Sequence, residues 1–144
     1  MMKQVLCAID LNQKNDNEVL LRANKIARLD DANLDVITVV PNFGMALVGS
    51  YFDDNFQKQA VEDAQSALKA RIADVLGDDR NKNIRHIVAV GSIYEEILEL
   101  AKQTDSDLIV IGAHKPDLRE YLLGPNAARV VRHSKCSVYV VRES

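Results

Sequence analysis

Short apolar runs and helical periodicities alternate along this chain of 144 residues. Residues 3–9, 34–40, 84–90, 108–111 and 138–141 are runs of strand length, rich in Val, Ile and Leu. Between them the period changes. Asn15 and Glu18 have the spacing of a capping box, and Leu20, Leu21, Ala23, Ala27 and Leu29 follow it. Phe56, Ala60, Ala64, Ala67, Leu68, Ile72 and Val75 recur at three-to-four spacing, which predicts one buried face of a long helix. Ser92 and Glu95 form a second capping-box pattern ahead of Ile97, Leu98 and Ala101. A last helix is expected over 125–132, with Pro125 at a first-turn position where its missing N–H costs least. Strands and helices in alternation, with strands apolar on both faces, predict an α/β fold. Its sheet should be mostly parallel, with right-handed crossovers and helices on both sides.

The stretch from Asp107 onward carries the densest signal. Asp107-Leu-Ile-Val-Ile-Gly112 reads as a buried strand ending on glycine, and Gly124-Pro125-Asn126 opens a short helix after a polar loop. Strand, glycine, loop, glycine and helix start is an arrangement that brings backbone N–H groups close to an anion. Glycine leaves no Cβ in the way, and a helix N-terminus supplies unpaired donors and positive dipole. Bound phosphate on a nucleotide is the leading expectation. Open parallel sheets bind ligands beyond the carboxyl ends of their strands, where strand order reverses. The first strand lies at that reversal, so Asp10 faces the crevice, and Gly112 is beside it if the fourth strand is the neighbour. Asp10 suits ribose hydroxyls, a base amine or a metal as partner; equally, it can serve only to cap the following turn.

Length fits a single domain over 1–144, without staples. With 47% hydrophobic and 27% charged residues the composition is that of a soluble globular protein, and no run approaches a membrane span. The N-terminal stretch reaches Asp10 too soon for a secretory signal, so a cytoplasmic protein with reduced thiols is expected. Cys7 and Cys136 read as core filling, since no C-x-x-C is present. A net charge of −3 argues against general nucleic-acid binding. Yet between Gly112 and Lys135 five bases face two acids, which gives +3 there and leaves −6 elsewhere. Those bases are Lys115, Arg119, Arg129, Arg132 and Lys135; a solvated face explains each of them equally well. The apolar insert over 41–50 is read as a lid, a partner patch or an early helix turn.

Taken together these residues resemble the universal stress protein family over essentially the whole length. ATP-binding members carry a G-x2-G-x9-G-[ST] pattern between the fourth strand and the last helix, an acid ending the first strand, and G-x-x-x-E-E-I at the third helix. Gly112, Gly124, Asp10 and Gly91-Ser-Ile-Tyr-Glu95-Glu96-Ile97 match. Leu122-Leu123-Gly124, Val130-Val131-Arg132-His133 and the final strand share the family's look. The resemblance implies a three-layer, Rossmann-like fold of the adenine nucleotide alpha hydrolase-like type, with five parallel strands ordered 3-2-1-4-5 and about four helices. It further implies adenine near Val39, Asp10 on ribose, base or metal, and phosphates along Gly112–Asn126. The implied nucleotide-binding set is Ala8, Ile9, Asp10, Val39, Gly112, His114, Lys115, Arg119, Gly124, Pro125, Asn126 and Ala127. The ligand would be ATP or another adenine nucleotide, with Mg2+ as a possible companion. Members commonly dimerise through the last strand, which would place Val138 and Val140 in a symmetric homodimer interface.

Two departures fall inside the motif. Gly112 and Gly124 have 11 residues between them where the pattern has 12, with Lys115 in place of the middle glycine. Pro125 stands where the family has Ser or Thr, which removes a hydroxyl and a backbone N–H. Lys115, Arg119 and Asn126 can compensate with side-chain donors.

His86, His114 and His133 match no zinc spacing; His133 suits a helix C-terminus and His114 lies in the phosphate loop. No P-loop, nucleophile elbow or paired carboxylates mark a catalytic centre, and Arg119 beside Glu120 reads as solvated. Three hypotheses follow: a nucleotide-sensing stress-response regulator, a dimeric scaffold that has lost its nucleotide, and a genuine enzyme such as a nucleotide hydrolase or adenylyl-handling protein; the expectation is a binding protein with at most weak ATPase activity.

Overall fold

The computed structural model describes residues 1–42, 54–113 and 124–142. Five strands and five helices alternate among them. They are β1 (Gln4–Ala8), α1 (Asp16–Leu29), β2 (Asn33–Val40), α2 (Asp54–Leu76), α3 (Asp78–Asn81), β3 (Arg85–Val90), α4 (Ile93–Gln103), β4 (Leu108–Gly112), α5 (Pro125–His133) and β5 (Ser137–Val141). The strands form one sheet in the order β3-β2-β1-β4-β5, and every neighbouring pair is parallel. This is the order and architecture that the family resemblance implied.

Strand alternation sorts the core into two layers. Val5, Cys7, Ile9, Leu34, Val36 and Val110 face the helices α1 and α2, where Val19, Leu20, Leu68 and Ile72 meet them. Leu6, Ala8, Ile37, Ile109 and Ile111 face α4 and α5, where Ile97, Ala101, Ala127 and Val130 meet them. Each fully buried Leu, Ile or Val side chain contributes about 1.5–3 kcal/mol relative to exposure. β1 connects toward β2 through a helix on the first face, and β3 connects to β4 through a helix on the second. The chain therefore reverses its direction across the sheet between β1 and β4, which opens a crevice at their carboxyl ends.

The helix faces are narrower than the periodicity suggested. Leu29 is 76% exposed, Leu21 45% and Phe56 43%, and Ala67 is also exposed. The buried stripe of α2 reduces to Ala64, Leu68 and Ile72, because positions at the margin of a 3.6-residue stripe turn away from the sheet. Neither capping box closes. Asn15 already has helical dihedrals, and the backbone turn before it occupies its neighbours through Asp16 N–H to Gln13 O and Glu18 N–H to Asn15 O. Glu18 pairs instead with Arg22 at 3.3 Å. Ser92 does stand at the N-cap of α4, but Glu95 accepts the Tyr94 hydroxyl at 3.0 Å and Glu96 packs over Gly91. Gly91 has φ +144, a conformation open to glycine, and hands the chain from β3 into α4.

The one-turn helix α3 was not anticipated. Gly77 at φ +93 ends α2, and α3 then buries Asn81, whose side-chain oxygen meets His86 Nε2 at 2.5 Å. His86 is thus engaged by the fold. Burial, and to a lesser extent Lys69, holds its pKa below the ordinary histidine value. Cys7 lies in the core, where burial raises its thiol pKa, and Cys136 is partly buried; both are free. β5 is an edge strand, with Val138 and Val140 half-buried against the α4–α5 layer and Tyr139 on the other face, hydrogen-bonded to Arg22 at 2.9 Å. No helix among the described residues is long and apolar enough to cross a membrane.

Candidate functional site

β2 runs past β1, since Ala8 pairs with Ile37 and β2 continues to Val40 beside Val90. Ile9 N–H donates to Ile37 O, Gly91 N–H to Val40 O and Ala113 N–H to Val141 O, each extending a parallel ladder by one step. Above them lies a cavity of about 280 Å³. Small-molecule sites span roughly 300–1,000 Å³, so it is of a size for one compact ligand.

Its floor and walls come from separated parts of the chain. Ala8, Ile9 and Asp10 rise from β1, Val39 from β2 and Gly112 from β4, while Gly124, Pro125, Asn126 and Ala127 open α5. All nine of these were singled out from the sequence, and the fold brings all nine to one cavity. His114, Lys115 and Arg119 lie outside the described residues, as do Leu122, Leu123 and most of the insert over 41–50.

The loop after β1 is tightly built. Asp10 N–H donates to the carboxylate of Asp16 at 2.5 Å, and Asp10 Oδ1 accepts from Asn12 N–H at 2.9 Å. Arg71 reaches over from α2 and donates to Leu11 O at 2.9 Å and to Gln13 O at 3.3 Å. Asp10 therefore caps the turn, and it also borders the cavity. One oxygen caps the turn; the other accepts no hydrogen bond among the described residues and belongs to a partly exposed side chain at the cavity. That oxygen can accept from a hydroxyl or an amine, or meet a Mg2+ ion carried on phosphate. Among the described residues no cluster of three or more His, Cys, Asp or Glu forms a metal site.

At the opposite wall, α5 begins with Pro125 after Gly124, whose carbonyl accepts Ala128 N–H at 3.0 Å. Gly124 has φ −68 and ψ 162, an extended conformation that any residue adopts, so what glycine supplies there is space. The first turn contains no acid. Of the three leading amides in a helix, proline deletes one, which leaves those of Asn126 and Ala127 as the donors of this helix start.

Sequence reasoning overlooked Asn12, Asp16, Thr38, Pro41 and Ile93, which also line the cavity, together with the core residues Ile37, Ile97 and Ile111. Thr38 carried a readable signal as the one hydroxyl in an otherwise apolar stretch of β2; Asp16 read only as a helix-start acid. The positive segment is divided by the fold. Arg129 stacks over Tyr94 at 5.0 Å, and Arg129, Arg132 and Lys135 do not border the cavity. No Lys or Arg lines it among the described residues. Lys14 and Arg142 border a second cavity of about 410 Å³, which shares Asp16 and Gly112 with the first.

Comparison with known proteins now adds the lineage. A model of the universal stress protein family matches residues 1–142. The chain belongs to the universal stress protein family. Universal stress protein G of Shigella flexneri is 26% identical over 144 residues, covering 99% of this chain and 100% of its own. Universal stress protein A homolog 1 of Coxiella burnetii is 29% identical over 142 residues, covering 96% and 95%. Among solved structures, the universal stress protein UspA from Lactobacillus plantarum superposes with a TM-score of 0.79 at 25% identity, over 98% of both chains. Two more distant members share the fold and were solved with nucleotides. A universal stress protein in complex with cAMP gives 0.67 at 22% identity, over 99% of both chains. One from Archaeoglobus fulgidus in complex with dAMP gives 0.64 at 19%, over 97% of this chain and 98% of that one.

Proposed function

We propose that this protein binds an adenine nucleotide in the crevice between β1, β2 and β4 and serves as a nucleotide-responsive regulatory protein of the stress-response type. The observation that carries this reading is convergence. Residues 8–10, 39, 112 and 124–127, far apart in sequence, meet at one cavity with an acceptor on one wall and a helix N-terminus on the other. Adenine rests against Val39, Asp10 accepts from ribose or base, and phosphate meets the amides of Asn126 and Ala127. That fold relatives carry cAMP and dAMP supports the same ligand class. Pairing of β5 with a second copy, around Val138 and Val140, completes the proposal as a homodimer, since an open edge strand offers unpaired backbone groups.

The test is thermal melting with adenosine, AMP, cAMP, ADP and ATP, with and without magnesium. A ligand at a hundredfold excess over its dissociation constant adds about 2.7 kcal/mol of stability. Asp10→Ala should lose most of the shift. A wild-type melt unmoved by every nucleotide at millimolar concentration sinks the reading. One observation favours that second outcome: with no cation on the described lining and an amide lost at Pro125, the scaffold reading, a dimer without nucleotide, stands next.

A further inference from the structure

Between the buried residues Ile9 and Asp16 the chain is exposed or half-exposed throughout, so residues 10–15 have little packing to fix them. Leu11 is partly buried against the core; for the rest, hydrogen bonds set the shape of this loop. Gln13 N–H donates to Asp10 O at 3.0 Å, Asn12 N–H to Asp10 Oδ1 at 2.9 Å, and Asp16 N–H to Gln13 O at 3.2 Å. Arg71 adds donors from a distant part of the chain. Its two terminal nitrogens give to Leu11 O at 2.9 Å and to Gln13 O at 3.3 Å, the carbonyls on either side of Asn12. A planar guanidinium suits two acceptors at once and loses little freedom in meeting them. The side chain is carried on a fixed base, since its neighbours Leu68 and Ile72 on α2 are fully buried.

Arg71 does not border the cavity, whereas Asp10 and Asn12 do. What it holds is the backbone from which they project. We infer that Arg71 is a positioning residue of this site: by gripping the Leu11 and Gln13 carbonyls it fixes the loop in the shape that presents Asp10 to a ligand in the crevice. The inference rests on the nucleotide reading above. Its energetic basis is preorganisation. A ligand that needs Asp10 in place binds only the fraction of molecules whose loop has this shape, and its apparent dissociation constant rises as that fraction falls. Arg71 thereby ties the acceptor of the site to the long helix α2, which contributes no residue to the cavity lining among those described.

Arg71→Met keeps the apolar stem and removes both donors. Calorimetric titration of the full chain should show this variant binding adenosine and AMP more weakly by one common factor, about three- to tenfold, the reciprocal of the competent fraction that remains. Hydrogen exchange on the unliganded variant supplies the second measurement. The amides of Asn12, Gln13 and Asp16 should lose most of their protection while those of β1 and β4 keep theirs, and saturating AMP should restore the loop. The melting temperature without ligand should stay within a few degrees of wild type. Wild-type affinity in Arg71→Met overturns the inference and leaves the nucleotide reading standing, and so does weakened binding with the loop amides still protected. A free variant that melts far below wild type overturns it too, because Arg71 would then hold the fold and not the loop. Failure of the wild type to bind either ligand overturns both.

Discussion

Replacing Pro125 with serine changes one wall of the cavity and little else. Pro125 is the first residue of α5, exposed, with Gly124 as its cap. The substitution returns an amide to the helix start, so three donors face the cavity where two did, and it adds a hydroxyl. A hydrogen bond from an N–H to a charged phosphate contributes roughly 1.5–3 kcal/mol, which corresponds to ten- to hundredfold in affinity. The cost falls on the free protein. Releasing the proline ring gives the unfolded chain more freedom and lowers stability by about 0.4–1 kcal/mol, a few degrees at most in melting temperature for a domain of this size. AMP and ATP should therefore tighten in calorimetric titration while adenosine keeps its affinity, and the unliganded protein should melt slightly lower. Equal tightening of adenosine would show a general change in the loop, and no tightening of any ligand would show that Gly124–Ala127 holds no phosphate.

Three further outcomes follow from the fold. Leu68→Ala empties a fully buried site beneath α2 and should cost about 2–5 kcal/mol in denaturant melts, with the sheet's other face undisturbed. Asp107 accepts Lys3 N–H at 2.7 Å and Gln4 N–H at 3.0 Å, which holds its carboxyl below the usual carboxylate range. Its contribution is therefore in place above the unfolded value of about 3.9 and is lost as pH falls through the lower folded value. Asp107→Asn should be less stable near neutrality and converge on wild type in acid; parallel curves would disprove the assignment. Val140→Lys on the β5 edge should shift a homodimer toward monomer in ultracentrifugation, and an unchanged assembly would move the interface elsewhere.

Much of this architecture was legible because it rests on periodicity that one strand states by itself. β1 and β4 are buried on both faces, so an uninterrupted apolar run suffices to mark them. The cavity was legible for another reason. Topology fixes where a parallel sheet opens, and Asp10 lies two residues past β1, Gly112 ends β4 and Pro125 begins α5. What escaped was competition between local alternatives. The Ser92–Glu95 spacing suits a capping box, but Tyr94 and Gly91 supply nearer partners for the two glutamates. The helix faces were drawn too wide, since spacing alone does not tell how far round a helix the sheet reaches. The positive charge was placed by sequence neighbourhood, yet Arg129 turns outward onto Tyr94, about a helix turn from Pro125.

The charge pattern that results bears on what kind of ligand suits the crevice. Asp16 is buried and its carboxylate is engaged by Asp10 N–H; Asp10 shares one oxygen with Asn12 N–H. Both acids are thereby held in place by backbone donors. Each phosphate charge brought near such acids is opposed unless something nearby is positive, and on the described lining of this cavity that is the start of α5, equivalent to about half a charge, from which proline removes one amide. Two amides can serve the oxygens of one phosphoryl group. Under the proposed nucleotide reading, the expected ligand is one whose binding energy lies in base and ribose, with one phosphate as a secondary anchor. On the same reading Pro125, where the family's ATP-binding pattern has Ser or Thr, should act on specificity: it should lower the charge that the site accepts while leaving Asp10 and Val39, at the nucleoside end, unchanged.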